Sequence, residues 1–164
     1  MSDLEDLYRE IILDHYRSPR NRGELEVPPA TRSEGFNPLC GDEIIVFMQL
    51  DDPTKGDEAV VEDITISGQG CSISQSSASM MSAAVKGRSV GEVKALGERF
   101  RSMMSVHEDE LGGTVVGAGD SDLTDLGDLA ALRGVVQFPV RIKCATLAWN
   151  TLADGLEQSE AATD

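Results

Sequence analysis

"FNPLCGDEIIVF", residues 36–47, combines a sharp bend, the start of a strand and two metal-seeking side chains. Pro38 and Gly41 predict the bend, and the apolar residues that follow predict the strand. Cys40 and Asp42 lie two residues apart at the mouth of that strand. In extended backbone, such residues face the same side with their Cα atoms about 6.6 Å apart. Side chains that converge from these positions can share one metal ion.

Length and charge limit the possible functions. With 164 residues, the chain is expected to form one domain, residues 1–164, whose core is large enough to fold without metal. Its formal net charge of −15 is spread along the chain, which argues against binding to nucleic acid or to an anionic membrane. The acidic start has no apolar signal core, and the apolar runs are too short to span a membrane. We therefore expect a cytoplasmic protein.

The hydrophobic pattern of the first part of the chain predicts helices that follow strands. The expected elements are a helix that ends near Ser18-Pro19, a polar loop over 21–38, and strands over 43–50 and 58–67. Two capping-box spacings, Ser72 with Gln75 and Ser89 with Glu92, each predict the start of a helix. Strands followed by helices favour an α+β domain with the helices on one face of a sheet.

The last third of the chain is predicted in less regular pieces. The second capped helix is expected to end near Met104. The expected sequel is a flexible stretch over 112–122, a short helix over 123–132, a strand-like run over 135–142, a last helix over 145–158 and a frayed tail over 159–164.

The three cysteines each lie where an element is expected to begin or end. A single free cysteine is often a small buried hydrophobe. Three cysteines at such positions, in a reducing compartment, favour thiol chemistry or metal binding over a disulfide framework. Together with Asp42, the thiols of Cys40, Cys71 and Cys144 supply four ligands of the kinds that zinc binds.

Other motifs give weaker signals. "GQGCSIS" lacks the third glycine of a dinucleotide fingerprint, and "GGTVVGAGDSD" lacks the Lys-Ser/Thr pair of a P-loop. His15 falls on the apolar face of the first helix and is expected to be packed there, whereas His107 is expected to be solvated or at a helix end. Nothing in the pattern brings either histidine near a thiol, so a catalytic Cys–His pair is unsupported. The serines of "SQSSASMMS" are expected to permit close helix packing.

Four stretches carry a resemblance to a known family: "LYREIILDHYRSPRNRG", "NPLCGDEI", "GQGCSISQSSASMM" and "FPVRIKCATLAW". In order and spacing, the chain resembles the U-type iron–sulfur cluster assembly proteins, the family of IscU and of the NifU N-terminal domain, and within it the SufU branch. The resemblance implies an α+β domain with a small antiparallel sheet packed by helices on one face. It also implies a zinc site at one end, with Cys40, Asp42, Cys71 and Cys144 as ligands.

Two departures from the scaffold-type relatives fit the SufU branch. Those relatives have a histidine immediately before the last cysteine, where this chain has Lys143. A protonated lysine has no lone pair for a metal, so Asp42 becomes the fourth ligand or the position stays open. The interval between the last two cysteines is also longer, with an extra piece over 112–128. Arg141 and Lys143 are expected to offset the negative charge of the site if they point inward.

The resemblance implies a zinc-dependent sulfurtransferase that acts as a relay rather than as a stand-alone enzyme. Cys40 is expected to take persulfide sulfur from a SufS-like cysteine desulfurase and to pass it to a SufBCD-like cluster-building complex. The chain is expected to be a monomer. Two alternatives stay open: a scaffold on which an iron–sulfur cluster is assembled, and a structural zinc domain that serves protein interaction alone.

Overall fold

The computed structural model of the chain describes residues 2–27, 30–38, 41–111, 124–137 and 139–163. Their helices and strands are, in chain order, α1 (Ser2–Arg17), β1 (Thr31–Asn37), β2 (Asp42–Leu50), β3 (Val61–Gln69), α2 (Ser72–Val85), α3 (Val90–Leu111) and α4 (Pro139–Thr163). Turns of 3-10 helix, Pro53–Glu58, connect β2 to β3, and a second 3-10 segment, Thr124–Gln137, precedes α4.

The three strands form one antiparallel sheet in the order β1-β2-β3. Asn37 at the end of β1 pairs with Asp42 at the start of β2, and Glu43 pairs with Gln69 at the end of β3. The register therefore brings the β1–β2 hairpin and the exit from β3 to the same end of the sheet. The predicted α+β fold with a small antiparallel sheet is confirmed.

One face of the sheet is covered by helices. Ile44, Val46 and Met48 alternate along β2 and are at most 1% exposed, as expected where one face of a pleated strand is buried. α2 and α4 pack on this face, α1 packs against α2, and α3 packs against α4. Among the core residues, Phe100 of α3 stacks on Trp149 of α4 with ring centroids 5.6 Å apart.

Strand β1 lies where the sequence predicts a polar loop over 21–38, so that prediction is wrong for 31–37. The inward-facing residues of β1 are Thr31, Ser33, Gly35 and Asn37, none of which is a large apolar residue. Glycine is required at position 35 because α4 passes directly beneath it. A methyl group there would overlap the hydroxyl of Thr151. Close packing against α4 therefore stabilises β1, and the hydrophobic pattern of the sequence does not indicate a strand here.

The predicted strand-like run over 135–142 is also wrong. Val135 belongs to the second 3-10 segment, and Pro139 is the first residue of α4. Proline favours the first helical position, where its missing N–H costs nothing, and this outweighs the β-branched residues nearby. The last helix thus begins six residues before the predicted range over 145–158. Its backbone is helical to Thr163, across most of the segment predicted as a frayed tail.

Most of the remaining element predictions agree with the structure to within a few residues, but α3 ends seven residues later than predicted. α1 ends at Arg17, just before Ser18-Pro19, and β2 begins one residue earlier than predicted and ends at Leu50 as predicted. β3 starts three residues later than predicted and ends two later. Ser89 and Glu92 form the predicted capping box, with Glu92 N donating to Ser89 Oγ at 3.2 Å and Ser89 N to Glu92 Oε1 at 3.3 Å. α3 runs past Met104 to Leu111, and residues 112–122 lie outside the described part of the chain.

Among the described residues, none of the helices is both long and apolar enough to cross a membrane.

Candidate metal centre

Three elements bring together side chains that could hold a metal ion, at the hairpin end of the sheet. Asp42 begins β2, Cys71 immediately precedes α2, and Cys144 lies in the second turn of α4. One ligand atom from each residue lies within 4.8 Å of the other two. Asp42 and Cys144 are fully buried, whereas Cys71 is partly exposed. Residues 29 and 73 positions apart in the chain thus converge on one small volume.

This spacing fits a metal ion such as zinc. Tetrahedral zinc places sulfur and oxygen donors roughly 3.5 Å apart, so the three ligand atoms need to contract only slightly to share one ion. Cys40 lies outside the described residues. In the described part of the chain, the Asp42, Cys71 and Cys144 group is the one cluster of three or more potential ligands.

The carboxylate of Asp42 is held by hydrogen bonds. Its Oδ1 accepts from the backbone N–H of Cys71 at 2.9 Å. Burial is the largest influence on the pKa of Asp42 and raises it, but the Cys71 N–H and the side chains of Cys144, Ser74 and Cys71 together outweigh it, so the pKa lies below its ordinary value. Hydrogen bonds to the charged form have this effect. Asp42 is therefore ionised at neutral pH and competent to bind a cation.

Cys71 occupies the N-cap position of α2. Its sulfur accepts from the backbone N–H of Ser74 at 3.5 Å, which places the thiol at the positive end of the helix. The sequence predicts Ser72 and Gln75 as a capping box, and that prediction is wrong by one residue: Cys71 is the cap. Sulfur is not among the usual capping atoms, so the pattern points to the serine. α2 itself is confirmed.

The turn that carries Cys71 is braced from the loop after α1. Arg22 donates through Nη2 to the carbonyl oxygen of Gly68 at 2.7 Å and through Nη1 to Oε1 of Gln75 at 3.0 Å. Gly68 precedes Cys71 by three residues, and Gln75 follows it by four. One planar guanidinium group thus ties the end of β3 to the first turn of α2. Sequence reasoning did not single out Arg22, because nothing local to it indicates its distant partners.

Arg141 and Lys143 are exposed on α4, so their inward orientation is not observed and their role stays a prediction. His15 is 2% exposed, which confirms that it is packed. Its Nδ1 lies 2.8 Å from Ser79 Oγ, and its Nε2 lies 2.9 Å from Asp128 Oδ2.

The side chain of His107 lies outside the described residues. The serines of "SQSSASMMS" in α2 are buried as expected. Several also form hydrogen bonds that the pattern did not indicate: Ser77 Oγ, for example, donates to the carbonyl oxygen of Ala145 at 2.5 Å.

Sequence reasoning also missed Asn37, which touches two members of the cluster. Its Nδ2 lies 3.4 Å from Asp42 Oδ2 and 3.6 Å from Cys144 Sγ. Its neighbour Pro38 predicts only a bend, and the side chain of a residue in a predicted loop has no defined direction. The pairing of Asn37 with Asp42 across β1 and β2 would have indicated that Asn37 lies beside the cluster.

The fold and the cluster define a class: a small α+β domain whose sheet end joins two helix starts around thiol and carboxylate ligands. The particular family is shown by comparison with known proteins. The model of the family described as "NifU-like N terminal domain" matches residues 7–145. The chain belongs to this family.

Individual relatives match over nearly the whole chain. The chain is 42% identical to "Zinc-dependent sulfurtransferase SufU" of Bacillus subtilis (strain 168), over 97% of this chain and 95% of that protein. It is 38% identical to "Iron-sulfur cluster assembly scaffold protein IscU" of Streptococcus pyogenes serotype M1, over 97% and 88% respectively. The crystal structure of FiSufU from Fervidobacterium islandicum AW-1 superposes with a TM-score of 0.70 at 30% identity, over 90% and 94%.

Proposed function

We propose that this protein is a sulfur carrier of iron–sulfur cluster assembly, with Cys40 as the acceptor and a zinc ion held by Cys40, Asp42, Cys71 and Cys144. The observation that carries the proposal is the convergence of Asp42, Cys71 and Cys144 within 4.8 Å. The similarity to a relative named a zinc-dependent sulfurtransferase supports the choice of metal and of reaction.

The donor set suits zinc. Two thiols and a carboxylate, with a third thiol two residues from the carboxylate, are ligands of the kinds found in zinc sites. When bound, zinc keeps thiolates deprotonated at neutral pH and has no redox chemistry of its own. Asp42 supplies a harder oxygen donor beside the softer sulfurs, so this ligand set is expected to hold zinc less firmly than four thiolates would.

The transfer step is a thiol–persulfide exchange. The thiolate of Cys40 attacks the outer sulfur of the desulfurase persulfide and forms a new S–S bond. The S–S bond in the desulfurase breaks, and its cysteine leaves as a thiolate with the electron pair. The outer sulfur, with its proton, is then attached to Cys40, and no external oxidant or reductant is consumed. Cys71 and Cys144 remain in place, since each is anchored by a helix.

The proposed partners are those that the resemblance to the SufU branch implies. The donor is a SufS-like cysteine desulfurase, and the recipient is a SufBCD-like cluster-building complex. The protein acts in the cytoplasm as a monomer and as a relay rather than as a stand-alone enzyme. Its strongly negative charge favours a docking surface with basic residues on the desulfurase.

Incubation with a SufS-type desulfurase and L-cysteine is expected to add one sulfur atom to Cys40. Cysteine peptides analysed by mass spectrometry after rapid alkylation should carry the added mass on the peptide of Cys40, and not on those of Cys71 or Cys144. The Cys40→Ser variant is the control and should accept none. Sulfur on all three cysteines alike, or on none, contradicts the proposed role of Cys40.

A second candidate is a scaffold on which an iron–sulfur cluster is assembled. It is favoured by the 38% identity to a relative named as such a scaffold, and the same thiols can bind iron. Metal analysis separates the two functions. A colourless protein with tightly bound zinc supports the sulfur carrier, whereas a brown protein with iron, sulfide and cluster absorbance supports the scaffold.

A further inference from the structure

Asn37 occupies a position between two of the proposed ligands. It is the last residue of β1 and pairs with Asp42, the first residue of β2. Cross-strand partners direct their side chains to the same face of a sheet, and here that face is the one covered by α4, which carries Cys144. Asn37 is 5% exposed, so its amide group is inside the protein rather than in solvent.

The contacts of the amide nitrogen are directed at ligand atoms. Nδ2 lies 3.4 Å from Oδ2 of Asp42 and 3.6 Å from Sγ of Cys144. An asparagine amide has two N–H donors and no lone pair on nitrogen for a metal. One N–H can therefore serve each acceptor, while the nitrogen itself stays outside the ligand set. Both acceptors are fully buried, where such hydrogen bonds are stronger than in water.

We propose that Asn37 is a positioning residue of the metal centre, which fixes Asp42 and Cys144 by donating to both. It holds the oxygen of β2 and the sulfur of α4 at a set separation before the metal arrives. It also withdraws electron density from the Cys144 sulfur, which makes that thiolate a weaker donor and nucleophile. The role rests on the function proposed above, since it leaves Cys40 as the thiol that exchanges sulfur.

Two variants test the role without any sulfur-transfer assay. Asn37→Leu keeps much of the bulk but removes the donors, and Asn37→Ala removes the whole amide. Outer-shell partners of metal ligands are typically worth 10–100-fold in affinity, so zinc release to a chromogenic chelator should accelerate about tenfold in both. Ser33→Ala is the matched control: Ser33 is buried on the same face of β1, its hydroxyl oxygen has no hydrogen-bond partner, and it lies four residues from Asn37. Zinc release from this variant should match the wild type.

Cobalt(II) substitution gives the readout that a merely structural role would not move. Loss of the N–H···S bond raises the energy of the sulfur electrons, so the thiolate-to-cobalt charge-transfer band should shift to longer wavelength in Asn37→Leu and not in Ser33→Ala. An unchanged band, or zinc release within about twofold of wild type in folded Asn37→Leu and Asn37→Ala, overturns the role of Asn37.

These readouts keep the two proposals separate. If wild-type protein accepts no sulfur on Cys40 but the band and the release rate change, the sulfur-carrier function fails and the positioning role stands. If sulfur transfer to Cys40 occurs and neither readout changes, the positioning role fails alone.

Discussion

Cys144→Ser is expected to lower the affinity for zinc by about a hundredfold or more, beyond the 10–100-fold typical of outer-shell substitutions. A neutral serine hydroxyl is a much poorer zinc ligand than a thiolate. Cys144 is fully buried and serine is of similar size, so the fold should persist. Competition with a chromogenic chelator measures the affinity, and circular dichroism checks that the helices remain.

Asp154→Asn provides the control for this substitution. Asp154 is exposed on the same helix, ten residues beyond Cys144, and its replacement should leave the affinity for zinc unchanged. If Cys144→Ser binds zinc within a few-fold of wild type, Cys144 is not a ligand. If removing zinc from the wild type unfolds the whole chain, the core does not support the fold by itself, contrary to what its length predicts.

Gly68→Ala is expected to be the most destabilising single substitution next to the site. Gly68 has a φ of +113°, a conformation that residues with side chains rarely adopt, and a methyl group there would overlap the carbonyl oxygen of Glu43 on the neighbouring strand. Backbone strain of about 1–3 kcal/mol and overpacking of about 1–3 kcal/mol should together lower the free energy of unfolding by about 3 kcal/mol or more. Urea denaturation measures this loss.

The matched control is Gly87→Ala. Gly87 also has a positive φ, +86°, but nothing lies within 4 Å of the added methyl group. Gly87→Ala should therefore lower the free energy of unfolding only by the cost of backbone strain, about 1 kcal/mol. Gly68→Ala should also weaken zinc binding, because Gly68 accepts a hydrogen bond from Arg22 beside the turn of Cys71. Equal destabilisation by the two substitutions would show that the sheet relaxes to admit the methyl group.

The fold could be predicted where local chemistry decides the structure. β2 is a short apolar run that follows a bend, and Ser89 and Glu92 have the spacing of the capping box that begins α3 in the structure. β1 could not be predicted, because its inward face consists of small and polar residues whose fit depends on α4 more than 100 positions away. The start of α4 was missed because the β-branched residues near Pro139 favour a strand, although proline also favours the first position of a helix.

In the candidate site too, local chemistry could be predicted from the sequence and tertiary contacts could not. Residue chemistry indicated Asp42, Cys71 and Cys144 as metal-seeking, and the structure brings them together. Asn37 and Arg22 were missed because their roles depend on which strand or turn they lie against. Side-chain type alone indicates which residues could bind a metal. The residues that contact them can be found only from the tertiary structure.

X-ray absorption at the zinc edge of freshly purified protein tests the central claim most directly. The account predicts about one zinc per chain, with sulfur neighbours at about 2.3 Å and one oxygen or nitrogen neighbour at about 2.0–2.2 Å. The fit should require three sulfurs, from Cys40, Cys71 and Cys144, and the oxygen shell should be lost or altered in Asp42→Ala. An iron edge with iron–iron scattering, or a zinc shell without sulfur, would contradict it.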